Sequence, residues 1–174
     1  VIFIEAENYN LGGEGVGYHD SDNIRRGNYN NGRGESVDLS VASDYERQFS
    51  DGPAWVSNVA AGEWLAYDID VPVVGRYLFE VRSARATTTN GSLHLEVNDA
   101  DVSGSVVIPS TGAWHRFTTF SASNVVLTAG PQTIRLVFDS GGTSANWFRL
   151  TLEQPAANTV PALVNPGSQS HTAG

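Results

Sequence analysis

Leu65, Tyr67, Ile69 and Val71 alternate with Trp64, Ala66, Asp68 and Asp70, a period of two residues rather than 3.6. After a turn at Val74-Gly75 the alternation resumes at Tyr77, Phe79 and Val81. Leu93, Leu95 and Val97 repeat it before the turn Asn98-Asp99-Ala100-Asp101. The same reading predicts strands over about 2–7, 105–108, 114–120, 124–128, 132–138 and 146–152. Breakers such as Asn90-Gly91, Pro109, Gly130-Pro131 and Gly141-Gly142 fall between them, at the spacing of a sandwich or barrel. No stretch carries an amphipathic helical stripe with caps. The pattern predicts an all-β fold, a β-sandwich.

Two regions break the strand rhythm. Residues 10–35 are dense in Gly, Asn, Asp and Arg and read as a long loop excursion, of the kind that usually serves a function. From Gln154 onward the chain turns to Pro, Ala, Asn, Ser and Gly, the composition of a linker. The expected organisation is a folded module over 1–154, with 155–174 a linker or the start of a following module.

At 174 residues the chain is one domain, large enough to bury roughly two-thirds of its unfolded surface. It has no Cys, which removes disulfide, thiolate-metal and cysteine-nucleophile readings together. Every basic residue is arginine; with 19 acids the formal charge is −9, which argues against nucleic acid or an anionic membrane as partner. No run approaches the ~18 apolar residues of a membrane span. No basic-then-apolar leader opens the chain, so any signal peptide is expected to have been removed or to lie outside it.

Trp114 is the most informative single residue. In Pro109-Ser110-Thr111-Gly112-Ala113-Trp114 a loop of small residues hands over to a strand, and an aromatic there either plugs the core or offers a flat face to a sugar ring. Trp64 and Trp147 lie inside strand patterns and read as packing residues. Trp55 follows the turn sequence Asp51-Gly52-Pro53-Ala54, which favours exposure and a binding role. Glu5 and Glu7, at i and i+2 on the first strand, would share a face about 6.7 Å apart. Two like charges so placed require a cation or an arginine between them. Calcium takes carboxylates with backbone carbonyls, and the loop from Asn23 to Gly27, with Arg26 inside it, offers carbonyls. The alternative is a solvated or arginine-paired edge. Asp20 and Asp22 read as turn residues before a second cation site.

The order of motifs carries a resemblance. Ile4-Glu5-Ala6-Glu7-Asn8-Tyr9, Gly62-Glu63-Trp64-Leu65-Ala66-Tyr67, Val71-Pro72-Val73-Val74-Gly75-Arg76-Tyr77, the Trp114 loop and Gly141-Gly142-Thr143-Ser144-Ala145-Asn146-Trp147-Phe148 together resemble a family 6 carbohydrate-binding module. Gly15 to Asp22 and Val37 to Leu39 are similar to the branch attached to agarases and other marine polysaccharide hydrolases.

The resemblance implies a β-jelly roll, a structural calcium at Glu5 and Glu7, and a sugar site in the loops at one end. It assigns Trp114 to stacking. A second aromatic would complete a sandwich around the sugar, but the matching position is Asn58, so Trp55, Tyr45 and Tyr29 become the candidates for the second wall. The polar anchor has two positions, of which the first is Ser144 and the second is kept as Asn146. Asn58 and Asn146 are equally possible turn formers. The implied partners are a polysaccharide, agar or agarose first and xylan or β-glucan next, and a catalytic domain in the same chain. Secretion to the cell exterior follows from the same resemblance.

Two other classes compete. A carboxylate pair can hydrolyse glycosides, and the estimated separation falls in the broad range of inverting enzymes. Against this, the pair sits on the first strand, there is no Gly-x-Ser-x-Gly elbow or His-Glu-x-x-His, and His19, His94, His115 and His171 are scattered. A β-sandwich adhesion or protein-interaction module is the other alternative, since fold alone does not fix function.

Overall fold

The computed structural model describes residues 1–41 and 54–157. Twelve strands run in chain order: β1 (Ile2–Glu5), β2 (Tyr18–His19), β3 (Leu39–Val41), β4 (Ala54–Val56), β5 (Trp64–Val71), β6 (Gly75–Ala84), β7 (Gly91–Val97), β8 (Ala100–Asp101), β9 (Val106–Ile108), β10 (Thr118–Leu127), β11 (Gly130–Phe138) and β12 (Ser144–Pro155). They form two antiparallel sheets. One has the order β10-β6-β12-β4-β3, with β1 also on β12; the other has β2-β5-β11-β7-β8, with β9 also on β7. The expected all-β sandwich is the observed fold.

Alternation is the cause. Along β6, Tyr77, Phe79 and Val81 point inward, while Arg76, Leu78, Glu80 and Arg82 face outward. Opposite them stand Tyr67 and Ile69 of β5, Leu93 and Leu95 of β7, and Ile134 and Leu136 of β11. Phe148 of β12 lies at the centre, edge-on to Tyr67 (centroids 5.0 Å apart) and Phe79 (6.1 Å). Such edge-to-face pairs add about 0.5–1.5 kcal/mol each beyond the area they bury.

Two strand expectations are corrected. The stretches read as strands at 114–120 and 124–128 are one strand, β10, interrupted by a bulge between Ala122 and Val125. Asn124 takes φ 65° there, a left-handed conformation that asparagine tolerates better than other residues with a side chain. The first strand also ends at Glu5, and Glu7 lies in the turn that follows, so the strand-rise spacing does not apply to that pair.

The described chain leaves the sandwich at one pole, at the end of β12, whereas β1 begins level with the middle of β6. Ile2 pairs with Leu150, and Pro155 pairs with Gly75 at the start of β6. The turns joining β6 to β7 and β11 to β12 lie at the other pole.

Candidate functional site

At that second pole lies a cavity of about 220 Å³ lined by Trp55, Trp114, Asn28, Asn58, Ser57 and Ser144, among others. Trp114 is 47% exposed, the largest side chain among the exposed apolar ones. The edge of its indole lies on Gly142, where an added Cβ would stand 3.3 Å from Cη2. With φ at +72°, Gly142 is doubly constrained: the backbone favours glycine, and a side chain would push the indole away. Trp114 is therefore open to solvent and backed by protein on one edge.

The rest of the lining is polar. Ser40 and Ser57 share a hydrogen bond (2.8 Å) across the β3–β4 pair, and the Asn58 amide donates to Ser57 Oγ (3.3 Å). Asn58 is exposed, with φ 51°, so the strained turn itself holds its amide at the rim. Asn28 accepts from the Val41 amide (2.8 Å). Asn28, Ser40 and Ser57 were not expected at the site. Ser40 and Ser57 follow from alternation once the β3–β4 pairing is known, whereas Asn28 comes from the irregular loop and leaves no periodic signal.

Trp55 is a correction. It is 4% exposed, paired with Ser40 in the β3–β4 ladder and packed edge-on against Phe117 (5.5 Å, 65°). It closes the inner side of the cavity and is not a free second wall. Asn146 is the second correction: it is fully buried, and its amide donates to the Ala54 carbonyl (2.9 Å), fastening β12 to β4. At the first anchor position, Ser144 does line the cavity. Tyr29 packs against the main core and is not part of the lining. Tyr45 lies outside the described residues.

Glu5 and Glu7 are brought together despite the end of the strand. Burial, with a smaller contribution from the charge of Glu5, raises the Glu7 pKa to about 7, against the lowering effect of a backbone hydrogen bond. Glu7 Oε2 is buried and accepts no hydrogen bond. A desolvated carboxylate oxygen beside a second carboxylate is chemistry that suits an oxygen-seeking divalent cation. Among the described residues no three or more His, Asp or Glu side chains converge to hold a metal, so carbonyl or amide oxygens would have to complete any such shell. The Arg26 guanidinium pairs with Asp22 (2.5 Å), and its backbone amide donates to Asp38. Asp20 accepts the amides of Asp22 and Asn23, the turn role expected of it.

A wider hollow of about 510 Å³ lies in the 23–36 loop, lined by Asn23, Arg25, Asn30, Glu35 and small residues. It has no aromatic lining and offers no stacking face.

An open indole over a hydrogen-bonding cavity, at the loop pole of a β-sandwich, defines a carbohydrate-binding module. The model of carbohydrate binding module family 35 matches residues 33–150, and the chain belongs to that family. Its structural relatives include modules of both family 6 and family 35, which share this fold. The C-terminal family 6 module of a marine laminarinase from Zobellia galactanivorans is 29% identical, with a TM-score of 0.61 over 86% of this chain and 98% of that one. The family 6 module of Cellvibrio mixtus lichenase 5A, solved with cellotriose, is 24% identical, with a TM-score of 0.65 over 88% and 98%. Among curated proteins, the clotting factor G alpha subunit of Tachypleus tridentatus is 35% identical over 92 residues, covering 52% of this chain. A 1,6-alpha-glucosyltransferase of Sporosarcina globispora is 29% identical over 146 residues, covering 79% of it. The chain spans only 13% and 11% of those two proteins. It is a non-catalytic module, as its family is one of binding modules.

Proposed function

We propose that the chain binds a neutral polysaccharide at the Trp114 cavity and targets an attached glycoside hydrolase to it outside the cell. The carrying observation is the half-exposed indole of Trp114 beside a rim of amides and hydroxyls. A pyranose lays its axial C–H groups on the indole, while the exposed Asn58 and Asn28 meet its hydroxyls. Asn58 stands where an aromatic would complete a sandwich, so recognition uses one stacked face and a hydrogen-bonding wall. Covering about 50 Å² of indole contributes on the order of 1 kcal/mol, and the remaining affinity comes from hydrogen bonds, giving dissociation constants of roughly micromolar to millimolar.

Agarose is the proposed ligand, on the resemblance of residues 15–39 to modules of marine hydrolases. A second ligand, a β-glucan, is favoured by the 29% identity to the module of a marine laminarinase. A structural calcium at Glu5 and Glu7, with the Arg26 loop lending carbonyls, belongs to the same proposal. Bound there, the cation would neutralise the carboxylate pair, and Glu7 would remain charged at its buried position.

Affinity gel electrophoresis through agarose, laminarin, xylan and mixed-linkage β-glucan tests the binding. Retardation in at least one gel is expected; unchanged migration in all four would overturn the proposal. Release of reducing ends by the isolated chain would overturn its non-catalytic half.

A further inference from the structure

We infer that Arg85 is the positioning residue of the cavity, its buried guanidinium holding the Gly141–Gly142 turn that backs Trp114 and neighbours Asn58, and its main chain holding the Trp114 loop; the inference rests on the sugar-site reading above. Arg85 is 5% exposed and follows the last residue of β6. Its Nε donates to the Thr89 carbonyl (2.7 Å). Nη1 is shared among the carbonyls of Gly141 (2.7 Å) and Gly142 (3.1 Å) and Thr143 Oγ1 (3.1 Å). Nη2 reaches Thr89 Oγ1 (3.4 Å). These acceptors are carbonyls and hydroxyls of two separate loops, which a planar fork can join and a point-like ammonium cannot. Gly91 makes the room: a Cβ there would stand 2.5 Å from Nη1.

Both cavity walls hang from this residue. Its main chain pairs with the Trp114 loop: the Arg85 amide donates to Thr111 Oγ1 (3.0 Å), and the Thr111 amide donates back to the Arg85 carbonyl (2.8 Å). Thr111 Oγ1 in turn reaches the Ala113 carbonyl (3.1 Å), one residue before Trp114. On the other side, Arg85 fixes Gly141 and Gly142. The Gly142 amide donates to Val59 O (2.9 Å), next to Asn58, and a Cβ added at Gly142 would meet the indole edge. The platform and the amide wall therefore share one fixed point, and the distance between them is set by Arg85.

The test uses Arg85→Lys, which keeps the charge, and Thr143→Val, which keeps the bulk and removes a hydroxyl that accepts from the Arg85 guanidinium. Four indole N–H signals are expected in a proton–nitrogen spectrum, one per tryptophan; Trp114 is assigned by its loss in Trp114→Phe. In Arg85→Lys the Trp114 indole and the Gly142 amide should shift or broaden while the Trp64 and Trp147 indoles stay in place. Affinity for whichever of agarose, laminarin, xylan or β-glucan retards the wild type should fall at least tenfold, at a temperature where circular dichroism shows both proteins folded. Thr143→Val should give the same pattern at smaller amplitude, and it carries the test if Arg85→Lys does not fold. An unmoved Trp114 signal, four signals moving alike, or an unchanged affinity would overturn the inference. If no gel retards the wild type, the sugar-site reading fails by itself, and the indole signals still decide whether Arg85 positions Trp114.

Discussion

Trp114→Ala should separate binding from folding. The 47% of the residue that is exposed is the part available to a ligand, and a sugar covering about 50 Å² of it gains roughly 1.3 kcal/mol at ~25 cal/mol/Å². Losing that stacking weakens binding about tenfold, enough to abolish retardation for a module whose dissociation constant is already near the upper micromolar range. The protein side of the ring lies with one edge beside Gly142, a shallow contact, so the expected loss of stability is about 1 kcal/mol. For a chain of this size that lowers the melting temperature by about 2–4 °C. Gel retardation and thermal melting of the same preparation give both quantities. A fall of more than about 10 °C would show a core tryptophan, as cavities left by deleted core aromatics do, and refute the platform. An unchanged mobility shift would refute it from the other side.

Trp55→Ala should behave in the opposite way, destabilising by about 3–5 kcal/mol because its ring is packed against Phe117 and Ala84; a melting temperature within 3 °C of wild type would contradict the buried placement. Asn146→Ala should cost about 1–3 kcal/mol by leaving the Ala54 carbonyl without its donor, with ligand affinity of the folded protein unchanged. Chelation with EDTA should lower the melting temperature, and Glu7→Gln should remove that sensitivity; equal melting with and without chelator would count against calcium. The pKa of His94 is raised: burial works against its charge, but the carboxylates of Glu96 (3.3 Å) and Asp139 (2.7 Å) outweigh it. Its contribution to stability is thus complete below about pH 6.5 and is lost as pH rises through the raised value. Melting curves from pH 5 to 9 should show that loss in the wild type and not in His94→Gln.

Alternation made β5, β6, β7 and β11 legible because each buries one face against the opposite sheet and leaves the other toward water. Bulges were not legible, since one added residue shifts the period without a compositional mark. That is why β10 read as two strands, and why Asn146 was misjudged. The register shifts between Ala145 and Trp147, so the side chain of Asn146 leaves the alternation and turns into the protein. Trp55 failed for a related reason. The composition at Gly52-Pro53 favours a turn, but a pairing partner fifteen residues upstream, Ser40, decides whether Trp55 is covered. Trp114 was legible because a large aromatic after a run of small residues has few ways to be buried. The Arg85 bonds were not, because their acceptors are backbone carbonyls, which any sequence carries.

The placement of the end of β12 at the pole away from Trp114 has a mechanical consequence. Strand β6 runs ten residues between the poles, a rise of roughly 33 Å. A module seated on a polymer by its Trp114 pole, as proposed, therefore stands upright on it, with Pro155 on the far side. The sandwich acts as a rigid post: a load carried at that end stands about a strand's length off the polymer surface, and a flexible connection must be at least that long to let it bend back and touch the same chain.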